Sequence, residues 1–112
     1  MILAFLIVAQ SQPADVAQDR EAFEPYRRCV LIEARSQYNT RSNLREIFAT
    51  AKHRCVKASL DATADLALNA ARRTIEVAAE GALNPEPVEM RFAQFETELL
   101  FELASDFVPK AK

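Results

Sequence analysis

Apolar residues recur at helical spacing in four stretches of the chain. The first stripe is Phe23, Tyr26, Val30, Ala34 and Tyr38, the i, i+3, i+4 pattern of one helix face. The second is Leu44, Ile47, Phe48, Ala51, Cys55 and Ala58. A third reads Leu60, Ala64, Ala67, Leu68, Ala71, Ile75 and Ala78, and a fourth Val88, Phe92, Phe95, Leu99, Leu103 and Phe107. No Gly or Pro interrupts the chain between Tyr26 and Glu80, and Ala, Leu, Arg and Glu favour helix throughout. The pattern predicts an all-α fold: an antiparallel helical hairpin extended into a three-helix bundle, with four helices as the alternative.

Punctuation residues place the ends. Pro25 suits a first helical turn, where its missing N–H costs nothing. Asn39-Thr40-Arg41-Ser42-Asn43 is a turn, with Ser42 or Thr40 expected as the N-cap of the next helix. Cys55 and Ala71 lie 16 residues apart, a rotation of about 160°, so the apolar face changes sides between them. Either the chain breaks near Ser59-Leu60-Asp61, or one long helix from about Ser42 to Glu80 packs on two sides. The lack of a breaker favours one long, kinked helix. Gly81 fits a C′ position, Asn84-Pro85-Glu86-Pro87 a helix start, and Pro109 a stop. Leu100 and Phe101 widen the last stripe and are read as core, with a groove or dimer contact as the alternative.

Ahead of these stripes, Ile2 to Ala9 form an uncharged apolar run. It falls short of the roughly 20 residues that cross a bilayer and matches the core of an export peptide. Residues 1–14 are therefore expected to be a signal peptide cut near Ser11 or Ala14. That leaves 15–108 as a single helical domain and 109–112 as a tail, in the periplasm or secreted. The two cysteines agree with this. Cys29 lies 13 residues before Ser42 and Cys55 lies 13 after it, so a hairpin turning there sets both thiols at one height. In an oxidising compartment this spacing predicts a structural Cys29–Cys55 disulfide.

Composition narrows the chemistry. The chain has 112 residues with one Gly and one His: one domain, no phosphate-cradling glycine loop, and no expected cofactor. Net charge is −2, but residues 27–57 alone carry a net +6 through Arg27, Arg28, Arg35, Arg41, Arg45, Lys52, Arg54 and Lys57 against Glu33 and Glu46. These eight are candidates for contact with an anionic membrane or envelope surface. The competing and preferred account is that the acidic half, net −5 over residues 58–112, neutralises them within one molecule or across a dimer. Nucleic acid is not expected, given a pI near 5.4 and no aromatic interleaving among the bases. His53 and Cys55 point about 200° apart on a helix and so do not share a metal site or a nucleophile pair. The carboxylate pairs Glu98/Glu102 and Asp61/Asp65 read as solvated faces, and no metal is expected.

The order Tyr26-x-x-Cys29-Val30, Ser/Asn turn, Ala51-x-x-x-Cys55 resembles small, uncharacterised two-cysteine helical proteins of Gram-negative envelopes. The likeness covers about residues 23–60, implies export and the disulfide, and brings no catalytic signature with it. The reading that follows is a non-catalytic exported protein mediating protein–protein or self-association. The alternatives are binding of anionic lipid or envelope surface through the basic hairpin 27–57, and an inhibitor or accessory subunit of an envelope enzyme.

Overall fold

Asp19, Phe23, Tyr26, Val30 and Ala34 share one face of the first helix, and each is buried; this face organises the fold. A computed structural model describes residues 14–38, 43–79 and 88–107. They form four helices: α1 (Ala14–Arg35), α2 (Leu44–Arg54), α3 (Val56–Ala79) and α4 (Val88–Asp106). Among the described residues there is no strand. The chain is an all-α bundle in which α1 touches each of the other three helices.

α1 begins well before the expected start. Pro25 lies inside it rather than in its first turn. The prolyl ring forgoes one bond to the carbonyl four residues back; Pro25 and Glu21 are both exposed, so water can serve that carbonyl. Burying the face from Asp19 to Ala34 outweighs the lost bond. At the other end of the hairpin, Asn43 is the N-cap of α2, with its side chain accepting from the Glu46 N–H at 2.9 Å. Asn43 shares the short polar side chain that makes Ser or Thr a cap. The expected caps Ser42 and Thr40 lie outside the described residues, as do Gly81, the Asn84–Pro87 start, Pro109 and residues 1–13.

The long helix over 42–80 is in fact two helices, broken at Cys55 and not at 59–61. The Cys55 N–H bonds to the Lys52 carbonyl at 3.1 Å, closing α2 with a tight turn, while the Cys55 carbonyl accepts from Ser59 at 2.9 Å and opens α3. One residue therefore ends one helix and starts the next. Cys55 is also bonded to Cys29, with Cα atoms 6.1 Å apart, inside the usual disulfide range. Pairs at Cys29–Cys55, Asp19–Asn69 and Asp15–Arg73 show α2 and α3 running antiparallel to α1 along its length.

α4 then closes the core. Phe95, Leu99 and Leu103 are buried, with Phe92 and Phe107 partly so. Phe23 meets Tyr26, Phe92 and Phe95 with ring centroids 5.3 Å apart in each pair, in edge-on and tilted arrangements that suit aromatic quadrupoles. Leu100 and Phe101 do not widen the core: Phe101 is 70% exposed and Leu100 lies at the surface. The third stripe departs from expectation more completely. α3 buries Ala62, Leu66 and Asn69, while Leu60, Ala64, Ala67, Leu68, Ala71 and Ile75 are exposed.

Candidate functional site

Four polar residues on the inner faces of three helices come together. Asp19 on α1 has no exposed surface and is held from two helices. Arg73 of α3 grips it with both terminal nitrogens, at 3.2 Å to Oδ1 and 3.0 Å to Oδ2. Asn69, one turn earlier, donates to Oδ1 at 3.0 Å, and Arg91 of α4 brings Nε to 3.5 Å from Oδ2. Asp15, one turn before Asp19, sits 4.0 Å from Arg73 and 3.9 Å from Arg91. Two carboxylates thus face two guanidinium groups, so the buried charges compensate each other. The arrangement can lock the register of α1, α3 and α4; it offers no free nucleophile.

Sequence reasoning passed over this cluster, although a signal was present. Asp19 falls at the i−4 position of the Phe23 stripe, and Arg91 adjoins Phe92 within the Val88–Phe95 stripe. Charged residues on the apolar faces of separate helices are rarely buried unless paired. Reading those interruptions together would have suggested that they meet.

A second set of contacts runs along α1 and α4, where carboxylates of α4 meet arginines of α1. Arg20 pairs with Glu98. Arg27 holds Glu102 through Nε at 3.0 Å and Nη2 at 2.6 Å, and Arg35 bonds Asp106 at 2.9 Å. The hydrogen bond from Arg20 holds the Glu98 carboxyl below its ordinary range, and that from Arg35 does the same for Asp106. Solvent screens exposed pairs of this kind, so they set alignment more than stability. Glu98 and Glu102, the carboxylates adjacent on α4, are both engaged here.

The remaining basic candidates are placed as follows. Arg28 reaches Glu24 at 3.4 Å, Lys52 reaches Glu96 at 3.7 Å, Arg54 reaches Glu33 at 3.3 Å and Lys57 reaches Asp61 at 3.5 Å. Arg45 is exposed, and Arg41 lies outside the described residues. Six of the eight candidates therefore have a carboxylate partner within the molecule. His53 is exposed, and among the described residues no three His, Cys, Asp or Glu side chains are grouped to hold a metal ion.

The concavities are modest. A hollow of about 180 Å³ between α1 and α4 is lined by Arg20, Phe23, Arg27, Phe95, Glu98 and Glu102, the ion-paired residues already described. A wider depression of about 670 Å³ on the α1–α3 seam is lined by Asp15, Gln18, Glu21, Arg73 and Glu76, with Ala17. Small-molecule sites are lined mainly by hydrophobic and aromatic side chains with a few placed polar groups; here five of the six lining residues are charged or carry an amide. No family model, curated protein or solved structure matches the chain.

The two tyrosines report on the α1–α4 contact. Tyr26 is buried and donates to Glu96 Oε2 at 2.8 Å; burial first, then this bond, drives its phenol far above the ordinary value of 10. Tyr38 donates to Asp106 at 3.1 Å, and burial together with that bond pushes it up to about 12. Unfolded phenols lose their protons near pH 10 while the folded ones keep them. Stability is therefore flat below pH 10 and falls as pH rises through about 12. Since the chain has two Tyr and no Trp, tyrosinate absorbance is a clean readout. The unfolded chain in urea is expected to be half-ionised near pH 10, and the folded protein at that pH less than about a tenth ionised. Superimposable titrations would contradict the two phenol–carboxylate bonds.

Proposed function

We propose that this is an exported, disulfide-stapled helical protein that acts without catalysis, by association with another protein surface. The observation that carries the reading is where the chain spends its apolar and charged side chains. Ile32, Val56, Leu60, Leu68, Ile75, Met90 and Phe101 are large, apolar and exposed, on three different helices. Charged groups, by contrast, are largely consumed in pairs between helices. Single exposed apolar residues are ordinary, but extended apolar surface marks contact with protein or membrane. The disulfide suits an oxidising compartment, and among the described residues no helix is long and apolar enough to cross a membrane.

The test is photo-cross-linking in the native host, with the reactive residue placed in turn at Ile32, Met90 and Phe101. These positions are 61%, 58% and 70% exposed and lie outside the pairs described above. A discrete adduct in the non-reduced envelope fraction from at least one position is expected. Adducts from none of the three, with protein levels unchanged, would overturn the reading.

A further inference from the structure

α3 is apolar on two opposite sides. Its inner side carries Ala62 and Leu66, with Asn69 and Arg73 reaching Asp19. At about 100° per residue, Leu60, Ala64, Leu68, Ala71 and Ile75 lie half a turn away from that line. Leu60, Leu68 and Ile75 are 65%, 62% and 71% exposed. A surface helix ordinarily puts charged and polar residues there. Between Leu60 and Ile75 those residues are confined to the margins, and the exposed Lys57 marks the N-terminal end of the stripe. One margin carries Asp61, Asp65, Arg72 and Glu76; the other carries Thr63 and Thr74, and all six are exposed.

We infer that this stripe is the contact surface for a second copy of the chain, packed antiparallel about a two-fold axis between residues 67 and 68. The inference rests on the association proposed above and names its partner. In that register Leu60 stands opposite the partner's Ile75, and Ala64 stands opposite the partner's Ala71. The two copies' Leu68 side chains thus meet beside the axis, flanked by the small Ala64 and Ala71, with Leu60 and Ile75 closing the ends. A two-fold axis also brings like margins together. The charged margin therefore meets its own copy in reverse, and Arg72 lies level with a point midway between the partner's Asp61 and the partner's Asp65. The displacement to each is two residues, about 3 Å along the axis, and each pairing occurs twice. Among the described residues of one chain, Asp61 pairs with the exposed Lys57 at 3.5 Å, and Arg72 donates to the Asn69 oxygen at 3.4 Å. A parallel arrangement would set the charged margin against Thr63 and Thr74 and leave these charges unmatched. The charge order selects the antiparallel pair.

One helix face per copy lies at the small end of specific interfaces, so dissociation on the order of tens of micromolar is expected. The test is sedimentation equilibrium of the oxidised full chain from about 1 to 500 µM in low salt, a range set to bracket that value. The variants are Arg72→Glu, the double Asp61→Lys/Asp65→Lys, and Leu68→Glu, each checked for native circular dichroism; all four positions are exposed. The wild-type chain is expected to pass from monomer to dimer, and each variant alone to dimerise at least tenfold more weakly. An equimolar mixture of Arg72→Glu with the Asp61→Lys/Asp65→Lys chain restores opposite charges at each contact. Its heterodimer is expected within about threefold of wild type, whereas Leu68→Glu has no such rescue. A monomer throughout the range, whether because residues 2–9 or another protein cover the stripe, would overturn the inference. So would dimerisation unaffected by the charge changes, or a mixture that fails to recover. A monomeric purified chain that still gives cross-linked adducts in the host through Phe101 would refute this dimer alone and leave the broader proposal standing.

Discussion

Replacing both bridged cysteines, as Cys29→Ala with Cys55→Ala, is expected to remove about 3–4 kcal/mol of stability. The bridge closes a loop with a sequence separation of 26, and in the chain-entropy account that constraint acts on the unfolded ensemble. The folded side adds little loss, because alanine leaves α2 and α3 free to keep their hydrogen bonds around residue 55. A domain of this size holds about 5–15 kcal/mol in all, so the bridge is a substantial fraction. At about 4–8 °C per kcal/mol for a small domain, the melting temperature should fall by roughly 12–30 °C. Calorimetry of the oxidised protein, the reduced protein and the double-alanine variant checks this. Agreement between the last two, both far below the first, is the expected result; a shift of only a degree or two would mean that the hairpin closes without its staple.

The buried carboxylate supplies the other large effect. Removing Asp19 as Asp19→Ala leaves Arg73, with a side chain 19% exposed, facing Arg91 at 8% with no anion between them. Breaking a buried pair from one side costs about 3–5 kcal/mol. Asp15 at the rim of the cluster offsets a part, which places the expectation at the lower end of that range. Asp19→Asn keeps the shape and sheds the charge, and should cost less, about 1.5–3 kcal/mol. A further variant separates charge from packing. Asp19→Leu combined with Arg73→Met and Arg91→Met replaces every buried charge with apolar volume, and such replacements are often neutral or stabilising. Urea denaturation should therefore rank the single alanine variant lowest, with the triple variant near or above wild type. If Asp19→Ala unfolds within about 0.5 kcal/mol of wild type, the range of ordinary surface changes, the cluster does not hold the helices together.

How much of this was legible in the sequence depended on whether apolarity and burial coincided. In α4 they do. Val88, Phe92, Phe95, Leu99, Leu103 and Phe107 all face inward, and only the residues beside the stripe, Met90, Leu100 and Phe101, are large and apolar yet exposed. In α1 they also do, from Phe23 to Tyr38, and the equal distances of Cys29 and Cys55 from the turn were enough to find the bridge. In α3 they diverge. The inner face needed Asn69 and Arg73 to meet Asp19, so its stripe is less apolar than the opposite one, and periodicity alone selected the outward side. The break at Cys55 was hidden for another reason: it needs no Gly or Pro, since a backbone turn at one residue suffices. The placement of the basic residues followed from charge segregation, but which acid each would meet depended on the crossing of α1 with α4, and that is a tertiary fact.

The pairing of α1 with α4 also dictates an order of assembly. The bonds Arg20–Glu98, Tyr26–Glu96, Arg27–Glu102 and Arg35–Asp106 join residues 70 to 78 apart in sequence, whereas the bridge joins residues 26 apart. A chain that emerges N-terminus first exposes the core face of α1 long before its last helix exists. The short loop closes sooner, so the α1–α2 hairpin is the first unit able to gather, and the cysteines can meet while α4 is still being made. Until then the Phe23–Tyr26 face and the positive side chains beside it have no acidic helix to rest on. Protection of the nascent chain is therefore most needed over the interval between synthesis of Cys55 and of Asp106. A truncation within α4 would leave that half-finished state permanent.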